Sequence, residues 1–178
     1  MKNISYRVAL GGIVAALCIL TMFLAGILPA LYIVLPMVAG ILMMIMVVEV
    51  NVKWAVLTYF AVSILSIIVT FDKEAALLFV LFFGHYPILR FYIQKIRLKF
   101  PRIAVKFLTF NICIISFFYI TVYLLGLDQM LEEMNDFGKY GAWIILSAMN
   151  LIFVLYDCNL DLCYKVYRRR IMPKFRNK

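Results

Sequence analysis

Arg90-Phe-Tyr-Ile-Gln-Lys-Ile-Arg-Leu-Lys-Phe-Pro-Arg-Ile-Ala-Val-Lys106 places six cations and no carboxylate between two long apolar runs. The gaps on either side have the opposite character. Asp72-Lys-Glu74 lies before it, and Asp128, Glu132, Glu133, Asp136 and Lys139 lie after it. Along the whole chain, sixteen of the eighteen Lys and Arg residues sit in four groups: the N-terminus, Lys53, this gap and the C-terminus. The alternate gaps hold only Lys73 and Lys139, beside six carboxylates. Cytoplasmic loops of membrane proteins retain Lys and Arg, whereas translocated loops do not. The alternation therefore predicts a polytopic membrane protein with both termini cytoplasmic.

Composition agrees with that class. The chain has 178 residues, is 66% hydrophobic and only 15% charged, and has a mean hydropathy of +1.01. A soluble domain needs far more charge on its surface. A span needs about 20 apolar residues, and six runs approach this length: 8–28, 31–48, 54–69, 75–93, 105–127 and 140–162. The predicted fold is all-α, one compact bundle of six transmembrane helices, followed by a basic cytoplasmic tail over 163–178. The third run is short, and Lys53 and Thr70 serve as its interfacial ends. Pro36 and Pro87 fall inside runs and predict kinks. The basic gap from Gln94 to Ile103 is expected to extend a helix along the headgroups, attracted by anionic lipid. The first run is too long for a signal segment and lacks a small-residue cleavage site, so it counts as a span.

Several functions are disfavoured. The net charge of +9 lies at helix ends and not on a groove-facing stripe, which points to anionic headgroups and away from nucleic acid. The single histidine rules out a multi-histidine metal centre. The catalytic signatures of serine hydrolases, zinc proteases and dithiol oxidoreductases do not occur, nor does a glycine-rich phosphate loop. The expectation is a non-enzyme without a cofactor. Cys18, Cys113, Cys158 and Cys163 all fall in or near apolar runs and are expected to remain thiols. The first three runs carry Thr21, Thr58, Ser63 and Ser66 and no charge, too little to hydrate a permanent pore.

The remaining polar and small residues form four groups. In the first run, Gly11 and Ala15 are four apart, as are Gly12 and Ala16, a spacing that lets another backbone approach closely. The same stripe serves internal packing or the docking of another membrane subunit equally well. His85 lies near mid-span, where an ionisable group is a functional candidate by default, although a neutral ring bonded to a carbonyl near Pro87 is the simpler reading. Asp157 and Asp161 share one helical face, at a depth where Arg90 supplies a structural ion pair. Glu49 is expected to pair locally with Lys53. On the acidic side, Asp72, Glu74, Tyr123, Asp128, Tyr140 and Trp143 are either interfacial belt and cap residues or the lining of a small-molecule pocket. Residues 131–137 would be a short lid over that pocket.

The opening Arg7-Val-Ala-Leu-Gly-Gly-Ile-Val-Ala-Ala-Leu17 resembles the first helix of the substrate-binding S components of energy-coupling factor transporters. The resemblance spans the chain in topology and the first run in motif. Glycines here fill some of the small positions that alanine holds in the family. Asp72-Lys-Glu-Ala-Ala-Leu-Leu-Phe-Val-Leu-Phe-Phe-Gly-His-Tyr-Pro87 is similar to a stretch in members without an assigned substrate. The resemblance implies a plasma-membrane subunit that binds a small molecule or vitamin outside. It further implies a transmembrane coupling subunit, docked through the first helix, and separate cytoplasmic ATPases. A non-transport scaffold that recruits a partner through the same helix and the basic inner face is the alternative.

Overall fold

The structure is a computed structural model that describes residues 4–126 and 140–171. Among the described residues it is helical without strands. Six rods follow the six apolar runs. They are α1 (Ile4–Ile27), α2 (Val34–Glu49), α3 (Val52–Val69), α4 (Lys73–Ile93), α5 (Lys99–Leu124) and α6 (Gly141–Arg169). Five are long and apolar enough to cross a membrane; α2, at 16 residues, is shorter.

Local chemistry sets the rod ends. The Asn51 side chain accepts the Trp54 amide at 3.0 Å and starts α3. The Asp72 carboxylate accepts the Glu74 and Ala75 amides at 2.9 and 3.0 Å and starts α4. Both are N-caps that satisfy otherwise orphaned donors. Lys73 donates to the Ile67 and Thr70 carbonyls, closing the end of α3. Gly126, at φ +63°, ends α5 in the left-handed conformation open to glycine.

Three local expectations change. Pro36 sits in the first turn of α2, where a missing amide costs nothing, so it marks a helix start and not a kink. Residues 94–98 form a turn, and the helix resumes only at Lys99, so the basic gap is not one continuous helical extension. The run beginning at Leu31 opens with a short 3-10 turn, Pro29–Leu31, and α2 starts at Val34.

Pro87 does interrupt its rod. In α4 a π-helical turn, Phe79–Phe83, precedes a break at Gly84 and His85, after which Tyr86–Ile93 continues as α-helix. The Gly84 amide reaches back to the Phe79 carbonyl at 2.8 Å, leaving the Val80 carbonyl for another donor. Pro87, which has no amide, frees the Phe83 carbonyl in turn. Two tyrosines from other helices fill these vacancies: Tyr59 of α3 bonds Val80 at 2.6 Å, and Tyr156 of α6 bonds Phe83 at 3.2 Å. Irregular backbone at this depth is tolerated only where protein re-satisfies it.

Contact register gives the direction of each rod. Between α1 and α2 the paired positions run in opposite senses, with Tyr6 near Glu49, Gly11 near Met46 and Cys18 near Ala39, so the two are antiparallel. From α1 to α3 they rise together, Gly11 to Thr58 and Phe23 to Phe71. From α4 to α6 they also rise together, Phe83 to Tyr156 and Arg90 to Asp161. From α5 to α6 they fall, Lys106 to Asp157 and Asn111 to Asn150. The start of α1, the α2–α3 turn, the α4–α5 turn and the end of α6 therefore share one end of the bundle, and this is the basic end.

α4 is the buried rod: 61% of its apolar window is inside the bundle, against 11% for α5. α2 also turns Ala39, Gly40, Met43 and Met46 inward. The outer rods keep large apolar side chains exposed, including Ile64, Ile68, Leu108, Ile115 and Leu151. Such a surface suits lipid and not water.

Candidate functional site

The polar centre of the bundle lies where α4, α5 and α6 meet near the basic end. The Arg90 Nε donates to Asp157 Oδ1 at 2.8 Å, and its Nη2 donates to Asp161. Asp157 also accepts the Tyr86 hydroxyl at 2.8 Å and the Lys106 ammonium at 2.5 Å. One carboxylate thus binds three helices together. The Arg90 side chain is 5% exposed, Asp157 18% and Asp161 47%. The sequence pointed to Arg90, Asp157 and Asp161; Lys106 and Tyr86 complete the set. Lys106 was legible only as one of the basic cluster, because its partner is 51 residues away.

One turn deeper, α5 and α6 are joined by two further contacts. Phe110 and Phe153 stack at 4.7 Å with planes 11° apart. Asn111 and Asn150 exchange side-chain amide bonds at 3.2 Å in both directions. Phe82 and Tyr86 pack on Phe153, and Tyr156 packs on both of them. This aromatic packing leaves an apolar cavity of about 20 Å³, against roughly 300–1,000 Å³ for a typical small-molecule site.

His85 sits in the α4 break, half-buried, with its ring edge-on to Tyr59 at 6.0 Å and Phe82 at 6.4 Å. Of the two carbonyls freed in this break, Val80 accepts the Tyr59 hydroxyl and Phe83 the Tyr156 hydroxyl. Glu49 departs from its expected local pair. It is buried and accepts the Tyr167 hydroxyl at 2.9 Å and the Tyr6 hydroxyl at 3.5 Å, linking α2 to α6 and α1. Lys53 is exposed instead.

The acidic-end candidates do not converge on a pocket among the described residues. Tyr123, Tyr140 and Trp143 are 71%, 67% and 70% exposed. Asp72 is engaged as the α4 cap, and Glu74 lies in the first turn after it. Asp128 and the lid expected over 131–137 lie outside the described residues.

The small-residue stripe of α1 divides in two. Gly11 and Ala15 turn toward the bundle, and a Cβ at Gly11 would meet Met46 and Thr58 at 3.5 Å. Gly12 and Ala16 are exposed, and a Cβ at Gly12 would meet nothing within 4 Å.

All four cysteines are free thiols. Among the described residues no three His, Cys, Asp or Glu side chains gather as metal donors. No known protein family, curated protein or solved structure matches this chain.

Proposed function

We propose that the chain is a substrate-capture subunit of the plasma membrane, similar to the S components of energy-coupling factor transporters. In this reading both termini are cytoplasmic, a small molecule binds at the acidic end, and a coupling subunit docks on α1. Separate ATPases supply the energy, since the chain has no phosphate loop of its own. The observation that carries the reading is the division of the α1 stripe. Gly11 and Ala15 serve the bundle, while Gly12 and Ala16 leave a shallow bare strip on its surface. Close backbone approach along such a strip is how membrane helices associate.

The test is co-purification with a coupling subunit. Gly12→Leu and Ala16→Leu are expected to abolish complex formation while the isolated domain keeps its thermal stability. Undiminished co-purification of both variants would count against the reading.

One observation favours a second reading, a scaffold that recruits a partner but carries no ligand. The aromatic packing among α4, α5 and α6 fills the interior with the protein's own side chains. Native mass spectrometry of gently extracted protein separates the two. A retained small molecule supports capture; a partner without one supports the scaffold.

A further inference from the structure

The basic end carries a groove to which neither reading assigns a ligand. Between the α2–α3 turn, the end of α4 and the end of α6 lies an open groove of about 630 Å³. Val50 and Val52 form one wall, Phe91 and Tyr92 the second, and Tyr164 the third, with Lys53 and Arg168 on the rim. Lys95 leans over the Phe91 and Tyr92 rings at 4.9 and 5.0 Å, adding a third cation to the same edge. No carboxylate lines this groove among the described residues. Lys53 and Arg168 make no ion pair among them either. The nearby carboxylates are already engaged: Glu49 accepts two tyrosine hydroxyls, and Asp161, which lines an adjoining groove with Lys165 and Arg169, accepts Arg90.

We infer that this groove binds the phosphate headgroup of an anionic phospholipid, with Lys53 and Arg168 as its ligands. Charge complementarity selects an anion: cations without an ion pair among the described residues line a groove with an apolar and aromatic floor, and phosphate oxygens accept both Lys and Arg donors. The acyl chains select a lipid over a free phosphate. Lys53 stands at the foot of an exposed stripe, Leu57, Phe60 and Ile64, on its own face of α3. A headgroup held at Lys53 thus leaves its chains lying along side chains already suited to lipid. The inference needs only the membrane character of the chain and does not depend on uptake or on a coupling subunit.

The experiment is native mass spectrometry of the full chain in detergent with equal amounts of phosphatidylglycerol and phosphatidylcholine added. Phosphatidylglycerol is expected to be retained in preference. Removing each rim cation should weaken its retention roughly fivefold, so that the double variant K53Q/R168Q loses about 25-fold. K53R/R168K keeps the charges and should keep the lipid. R97Q/K99Q removes two exposed cations outside the groove and should leave retention near that of the parent. Equal retention of both lipids would overturn the site, as would a loss in R97Q/K99Q matching that in K53Q/R168Q. Displacement of the lipid by excess inorganic phosphate would reassign the groove to a free anion and overturn the lipid assignment.

Discussion

Arg90 and Asp157 close the seam between α4 and α6, Nε to Oδ1 at 2.8 Å, with the guanidinium almost wholly buried. Removing one member of a buried pair leaves the other's charge undercompensated away from water, which costs on the order of 3 kcal/mol. Arg90→Met is therefore expected to lower the thermal stability of the detergent-solubilised domain sharply, since Asp157 keeps only Lys106 and Tyr86. Asp161→Asn should cost less than about 1 kcal/mol, because that carboxylate is half-exposed and screened. Thermal unfolding of the two variants side by side checks the ranking. Equal losses would mean that the outer carboxylate matters as much as the buried one.

The hydroxyl of Tyr156 restores the hydrogen bond that Pro87 removes from α4, and Gly40 of α2 makes room for that contact. A Cβ at Gly40 would overlap both the Tyr156 hydroxyl and the Phe83 carbonyl. Tyr156→Phe is expected to cost on the order of 1 kcal/mol by leaving the carbonyl unpaired. Gly40→Ala should cost about 1–3 kcal/mol as an overpacked site. In the double variant one obstacle is gone but the Phe83 backbone remains, so the alanine should still destabilise. A Gly40→Ala protein as stable as the parent would show that α2 and α4 separate more easily than the packing implies.

The rods were legible in the sequence because span length and charge sorting depend on lipid and water, which act on every residue alike. The Arg90, Asp157 and Asp161 set was legible for a related reason: a charge within an apolar run demands a partner at its own depth. Lys106 escaped because it also fits a loop cluster. The tyrosine caps escaped because nothing in Tyr59 or Tyr156 indicates which distant carbonyl lacks a donor; the π-turn that frees Val80 is a tertiary outcome. Glu49 misled for a similar reason. Lys53 is one turn away in sequence, but α2 ends between them at the turn into α3, and the buried carboxylate meets Tyr167 across the bundle.

The reciprocal Asn111–Asn150 bond lies between α5 and α6, whose other faces keep large apolar side chains such as Leu108, Ile115 and Leu151 exposed. Paired amides between membrane helices contribute roughly 0.6–1.7 kcal/mol. Asn150→Leu removes the pair and leaves the Asn111 amide only its bond to the Phe107 carbonyl, at 2.8 Å. The expected loss is about 1 kcal/mol, with a similar loss for Asn111→Leu and little more for both together, since each single change already removes the same interaction. Additive losses in thermal unfolding would show that the two amides act separately.

Alternation of the rods makes the topology testable at two positions. The paired registers place the α3–α4 turn at one end of the bundle and the α4–α5 turn at the other, so cysteines at Lys73 and Arg97 must report opposite sides of any membrane the chain spans. Both side chains are exposed and neither forms an ion pair among the described residues; substitution at Lys73 gives up its two bonds to the Ile67 and Thr70 carbonyls at the end of α3. With the four native cysteines replaced, Lys73→Cys is expected to react with a membrane-impermeant maleimide on intact cells. Arg97→Cys should react only after permeabilisation, because its end of the bundle holds the retained cations. The reverse pattern would turn the bundle over, since none of α4, α5 and α6 can flip singly without breaking the Asp157 junction. It would also move the lipid groove to the outer leaflet and the acidic end to the cytosol, removing the proposed capture face from its substrate.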